Sequence, residues 1–197
     1  MPLTDLLLSD TRGSLHSALA RLDHLRVVGV DVERADWDRY YRAAALVQVG
    51  GDGLVAVVDP LALPDLAPLD AFLRTRVAAL HAMENDLEPL ARLGVHPPVV
   101  QDTAIAAAML GLPTGLEGLL RDVLGVDLAG DKQAMQRADW ERRPLSERML
   151  SYAAGDVADL PALWAVLHSR LVTAGRDSWY DQELAAVLAQ PPVVRRR

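Results

Sequence analysis

The stretch Arg26-Val27-Val28-Gly29-Val30-Asp31-Val32-Glu33 decides how the chain is read. Val27, Val28 and Val30 are β-branched and favour a strand, and an apolar run without alternation predicts a strand buried on both faces. Such a strand has no evident structural use for two carboxylates near its end. Burying ionised carboxylates costs several kcal/mol unless a partner compensates, and a metal ion is the commonest remedy. Asp31 and Glu33 stand two apart on a strand, so they point to one side. They are read as the opening of a metal site whose remaining ligands lie elsewhere in the chain.

Spacing alone is weak support. Asp-x-Glu occurs four times, beginning at Asp31, Asp86, Asp139 and Asp181, and about one occurrence is expected from an acidic composition such as this. Asp31 alone follows a strand-like run. Context carries the signal.

The 197 residues and 51% hydrophobic content fit one domain with a full-sized core. No cysteine is present, which excludes disulfides, zinc-thiolate sites and cysteine nucleophiles. The start MPLTDLLLSD lacks the features of a signal peptide, and no apolar run approaches the ~20 residues that span a bilayer. A cytoplasmic protein without membrane contact is the expectation. The formal net charge of -7 argues against broad adhesion to nucleic acid. It does not exclude a nucleic-acid enzyme, since divalent ions neutralise a carboxylate cluster locally. Lys132 is the only lysine; arginine supplies the other basic side chains.

Outward from the key strand, Leu6 to Leu8 read as a short edge strand, and Asp10 or Thr11 caps a helix to about Leu22. Ala44 to Val49 and Leu54 to Val58 are strands joined by Gly50-Gly51-Asp52-Gly53, a hairpin signal. Helix and strand then alternate. A helix over Leu69 to Arg76 precedes a strand over Val77 to His81, and a helix over Glu84 to Leu93 precedes a strand over Pro98 to Gln101. Asp102 caps a helix over Thr103 to Leu110. Helices are expected over Leu116 to Leu124, Ser146 to Ala154, Val157 to Thr173 and Trp179 to Ala189. The expected fold is α/β, with a mixed five-stranded sheet: an antiparallel meander of three strands, then parallel strands, flanked by helices. Arg195-Arg196-Arg197 reads as a frayed tail.

Two further groups can carry chemistry. Asp86 follows the strand ending at His81. It is either an acidic residue in a first helical turn or a third ligand, since the carboxyl ends of adjacent parallel strands converge on one crevice. Tyr152 and Asp156 have the i,i+4 spacing of one helix face. They form either a structural hydrogen bond or part of the same site.

The order VGVDVE, HAMENDLEPL, YAAGDV resembles the three exonuclease motifs of the DEDD superfamily, in its tyrosine-bearing branch. Lys132-Gln133, Gln136 to Trp140 and Arg143 to Ser146, together with YYRAAALVQVG, VVQDTAIAAAMLG and the Gly115-Leu116 helix start, are similar to the ribonuclease D group. The resemblance runs from about Leu6 to Leu171. It implies a ribonuclease H-like fold, and one exonuclease domain over 1–197 without the C-terminal HRDC domains of longer members. It also implies two divalent ions, magnesium or manganese, held by Asp31, Glu33, Asp86 and Asp156, with Tyr152 orienting the attacking water. Ser151 stands where the histidine-type branch has histidine, five residues before the last aspartate. The implied activity is hydrolysis of phosphodiesters from a free 3′ end to nucleoside 5′-monophosphates. RNA is favoured over DNA, as in 3′-end processing of transfer RNA or other structured RNA.

Candidate substrate contacts are Val32, Arg34, His81, Asn85, Lys132 and Arg143. Arg34 departs from the aromatic or aliphatic residue common after the motif glutamate, and reads as a phosphate contact or a solvated arginine. His81 reads as a packed strand-end histidine or a site residue. Asn85 either hydrogen-bonds near the ions or turns the chain. Lys132 and Arg143 meet the substrate backbone or make surface salt bridges. Trp140 reads as core. A DNA-directed exonuclease and a non-catalytic nucleic-acid-binding scaffold of the same fold remain the alternatives.

Overall fold

A computed structural model describes residues 5–34, 43–128, 132–135 and 138–190, with residues 132 and 133 as backbone only. The Arg195 to Arg197 tail, Tyr40-Tyr41-Arg42, Gln136-Arg137 and the side chain of Lys132 lie outside the described residues.

Among the described residues six strands form one sheet: β1 (Asp5–Ser9), β2 (Val27–Arg34), β3 (Ala44–Gly51), β4 (Leu54–Val58), β5 (Val77–Leu80) and β6 (Val99–Asp102), in the order β1-β4-β3-β2-β5-β6. β2, β3 and β4 are the antiparallel meander, and β5 and β6 extend it in parallel from β2. The expected count of five is corrected to six. The edge strand read at Leu6 to Leu8 joins the same sheet, parallel to β4 with Ser9 beside Val58. The β3–β4 turn places Asp52 at φ 52 and Gly53 at φ 76, the left-handed pair that a two-residue hairpin needs to match strand twist.

The helices are α1 (Arg12–Arg21), α2 (Ala67–Leu73), α3 (Leu87–Arg92), α4 (Thr103–Leu110), α5 (Leu116–Leu119), α6 (Lys132–Met135), α7 (Glu147–Ala158), α8 (Leu160–Thr173) and α9 (Asp177–Leu188). Thr11 caps α1, its hydroxyl accepting from Ser14 N at 3.1 Å. Among the boundaries that differ from the sequence reading, three have a visible local cause. α2 ends at Leu73, and Arg76 turns inward to donate to the carbonyls of Asp23, Leu25 and Phe72. The helix expected over Glu84 to Leu93 is a tight turn, Met83–Asn85, followed by α3. The break expected at Gly155 falls instead at Asp159, because Pro161 fits only the first turn of a new helix. Tyr152 and Asp156 therefore share α7.

β3 is buried along its whole length, and Val28, Val30, Val47, Val49 and Val55 to Val58 form the middle of the core. α7 packs against β2, β3 and β4, while α8 packs against β2, β3 and β5. Among the described residues no helix is long and apolar enough to cross a membrane.

Candidate metal centre

The site begins at a missing side chain. A Cβ on Gly29 would lie 2.4 Å from the carbonyl oxygen of Val157 and 3.1 Å from Cβ of Leu160. Glycine is what lets the C-terminal turn of α7 rest on β2. Asp31 lies two residues beyond Gly29 on the same face, and Asp156 directly precedes Val157. The close approach therefore places one carboxylate over the other. Carboxylate oxygens of Asp31, Glu33 and Asp156 all lie within 4.8 Å of one another, each residue half-buried.

Burial pushes the Asp31 carboxyl up to about 6, against the opposing pull of the Val32 backbone N–H and the Arg34 charge. Like charges crowded in low dielectric resist ionisation, and a cation relieves them. The donors are all oxygen, which suits a hard divalent ion rather than zinc or copper.

Asp86 reaches the cluster differently. It is 3% exposed and does not belong to the group within 4.8 Å. Burial holds its carboxyl well above the usual range, and the Asp31 charge is the next largest cause. Arg34 offsets this, while Asp102 and Glu33 add to it. Asp31 therefore stands between two acidic neighbourhoods. The turn that presents Asp86 starts at Ala82, in the left-handed region at φ 58 and ψ 56. Asp102 holds this turn. Its Oδ2 accepts from Met83 N at 2.7 Å, while Oδ1 caps α4 by accepting from Ala104 N at 2.7 Å and Ile105 N at 2.9 Å. Behind it, the Tyr180 hydroxyl accepts from Asp102 N at 2.9 Å and donates to Gln101 Oε1 at 2.7 Å.

Tyr152, one turn before Asp156 on α7, is half-buried. Burial raises its phenol pKa first, followed by the charges of Asp156, Glu33 and Asp31 and the hydrogen bond to Asp156. The Trp140 ring packs beside it at 6.2 Å between centroids. Trp140 is itself buried, with Nε1 donating to Met135 O at 3.1 Å, and so supports Tyr152 from the core.

The expected substrate contacts divide. Arg34 acts electrostatically on both Asp31 and Asp86, so the structure brings it to the cluster. His81 Nδ1 donates to the Thr103 hydroxyl at 2.9 Å, which donates in turn to Leu80 O at 3.0 Å. Asn85 is exposed and donates to Ala82 O at 3.1 Å, stabilising the turn. Two other expected contacts have side chains engaged elsewhere. Val32 points to the opposite face of β2 from Asp31 and Glu33, and its side chain is buried in the core. Arg143 has all five N–H donors committed internally: Nε and Nη2 to Asp59 at 2.5 and 2.7 Å, Nη2 also to Ala45 O, and Nη1 to Trp140 O and Arg142 O. It ties the segment before α7 to β3 and to Asp59 just beyond β4. At Asp59, burial pushes the carboxyl up, but the Arg143 pair outweighs it and holds Asp59 below its ordinary value.

Sequence reasoning did not single out Gln48 or Asp59. Gln48 pairs with Asp31 across β2 and β3. The available signal was a lone polar residue in the apolar run Ala44-Ala45-Leu46-Val47-Gln48-Val49.

The family model described as 3′-5′ exonuclease matches residues 8–171, a span that contains Asp31, Glu33, Asp86, Tyr152 and Asp156. The chain belongs to the 3′-5′ exonuclease family. Ribonuclease D of Pseudomonas paraeruginosa is 37% identical over 167 residues, which is 82% of this chain and 43% of that protein. Among solved structures, Escherichia coli RNase D, described as an exoribonuclease involved in structured RNA processing, superposes with a TM-score of 0.83 at 30% identity, over 92% of this chain and 49% of that one. Brucella melitensis NrnC with bound Mg2+ gives a TM-score of 0.74 at 26% identity, over 91% of this chain and 87% of that one. The chain spans about half the length of the ribonuclease D proteins it matches. The ribonuclease H-like expectation agrees with these neighbours and with the mixed sheet.

Proposed function

We propose that the chain is a metal-dependent 3′-5′ exoribonuclease of the cytoplasm. It would release nucleoside 5′-monophosphates one at a time from a free RNA 3′ end, with precursor transfer RNA or other structured RNA as substrate. The observation that carries this reading is the convergence of Asp31, Glu33 and Asp156 within 4.8 Å, with the buried Asp86 beyond them feeling the Asp31 charge. The single sheet and continuous core of the described residues support one exonuclease domain. The preference for RNA rests on the ribonuclease D relatives.

Asp31, Glu33 and Asp156 would hold one magnesium or manganese ion, and Asp31 with Asp86 a second. Bound ions of this kind activate a water for attack on phosphorus and stabilise the leaving 3′ oxygen. Asp31 would contribute to holding both ions, so its orientation matters most. The Tyr152 phenol stays protonated at neutral pH because burial and three carboxylates oppose its ionisation. It orients the attacking water by hydrogen bonding rather than removing its proton. Arg34 beside Asp31 and Asp86 provides a cation for the non-bridging phosphate oxygens.

The test uses 5′-labelled single-stranded RNA and matching DNA, with magnesium, manganese or chelator, and with Asp31→Asn and Asp156→Asn. The expected result is a metal-dependent ladder from the 3′ end, faster on RNA, that both variants abolish. Internal cleavage products reject the exonuclease reading. Faster loss from DNA moves the assignment to a DNA-directed enzyme. Binding of RNA without cleavage under any ion leaves a scaffold.

A further inference from the structure

Gln48 is the physical anomaly of the core. It is 0% exposed, and neither Nε2 nor Oε1 has a hydrogen-bond partner among the described residues. A buried carboxamide without partners destabilises a fold, and native cores rarely contain one without a reason. Its place is specific. In the β2–β3 ladder Gln48 stands opposite Asp31, and in the β3–β4 ladder opposite Val57. Residues directly opposed across an antiparallel pair project to the same face with Cβ atoms about 4.5–5.5 Å apart. Gln48 therefore lies beside Asp31 on the face that Gly29 presents to α7. On the same face its strand neighbours are Leu46 and Gly50. Of the two residues directly opposite Gln48, Asp31 on β2 and Val57 on β4, only Asp31 has a side chain that can accept a hydrogen bond, with Glu33 placed diagonally on the same face.

We propose that Gln48 is a positioning residue of the metal centre, its Nε2–H donating to the Asp31 carboxylate and fixing that carboxylate's direction when a divalent ion is bound. An ion draws on part of the lone-pair capacity of Asp31. The lone pairs that ions and the Val32 backbone N–H leave over can take a further donor, and carboxylates that ligate metals are themselves hydrogen-bonded by neighbouring groups as a rule. The inference rests on the reading of Asp31, Glu33 and Asp156 as a cation site.

The experiment measures Mn2+ binding by calorimetry and melting temperature in chelator for wild type, Gln48→Met and Leu46→Met. The first variant deletes the amide at nearly constant volume. The second repacks a buried neighbour on the same strand and face. Gln48→Met should bind Mn2+ about tenfold more weakly or worse, yet melt higher than wild type in chelator, because an unpaired buried amide has gone. Leu46→Met should keep Mn2+ affinity within twofold. A pure packing role moves both variants together, and that result overturns the proposal. So does unchanged Mn2+ affinity in Gln48→Met, or a lower melting temperature in chelator, which would mean the amide has a structural partner. A wild-type chain without Mn2+ affinity removes the cation site and Gln48's role together, whereas a tight wild type with an equally tight Gln48→Met removes only the latter.

Discussion

The two sides of the acidic cluster are built by opposite means. The Asp31–Glu33–Asp156 side comes from regular elements pressed together, a strand and a helix whose separation Gly29 sets. The Asp86 side comes from a left-handed residue and a short turn that a buried carboxylate grips from behind. One side is precise because it is packed, the other because it is tied. A packed site fails by steric displacement; a tied site fails by losing a hydrogen bond. The variants below separate the two.

The largest effect is expected from Gly29→Ala. The added Cβ meets the Val157 carbonyl at 2.4 Å, and backbone cannot swing aside as a flexible side chain can. α7 must move, carrying Asp156 and Tyr152 with it. Displacement of about 1 Å at a reacting centre costs ~10²-fold in rate, and overpacking destabilises by about 1–3 kcal/mol. Turnover and chemical denaturation measure the two. Wild-type turnover in Gly29→Ala would break the claim that close approach sets the site.

Next is Asp102→Ala, which attacks the tied side. It leaves Met83 N buried without an acceptor and removes the cap of α4, a loss of about 2–4 kcal/mol from the two together. The second of two Mn2+ binding events should weaken, while the first, on Asp31, Glu33 and Asp156, stays within about threefold, a change below 1 kcal/mol. Equal weakening of both would show that the halves are not separable.

How much of this was legible beforehand depends on the range of each interaction. Asp31, Glu33 and the strand beneath them show in local pattern, because a both-faces-buried strand ending in acids is anomalous within eight residues. The cap at Asp102 is equally local. The second oxygen of Asp102 acts nineteen residues away, and nothing near Asp102 announces it. Gly29 was visible as a glycine between valines, yet its meaning depends on α7, more than a hundred positions later in the chain. Arg143 suited a phosphate as well as a salt bridge until Asp59 and three carbonyls took every donor. The edge strand β1 and the strand β4 were each read locally, but their pairing was not, which is why the strand count fell one short.

A smaller effect concerns pH, and it bears on the packed side. The Asp31 carboxyl stands at about 6 in the fold against an ordinary 3.8. The folded state therefore holds more protons than the unfolded chain between those values, and stability falls as pH rises through that interval. Below 3.8 both states are protonated and the term vanishes; above about 6 the loss is complete. Divalent ions favour the ionised carboxylate and should remove or reverse the slope. Melting curves from pH 4 to 7, in chelator and in Mn2+, measure this. The same slope in both would show that Asp31 does not face the cation.

The smallest effect tests how far the tied side extends. β6 is an edge strand, so the N–H groups on its outer side lack a neighbouring strand. The Tyr180 hydroxyl on α9 supplies the missing acceptor for Asp102 N, the residue whose side chain holds the Asp86 turn. Tyr180→Phe keeps the ring against Trp164, at 5.2 Å between centroids, and removes only the hydroxyl. The loss should be about 1–2 kcal/mol of stability, the scale of a buried donor left unpaired. Asp102 keeps its three side-chain acceptances, so turnover at saturating Mn2+ should stay within twofold. A larger fall in turnover, with the second Mn2+ weakened as in Asp102→Ala, would extend the tie from the Asp86 turn through β6 to α9. An unchanged melting temperature would show that water replaces the hydroxyl at the sheet edge, ending the tie at Asp102.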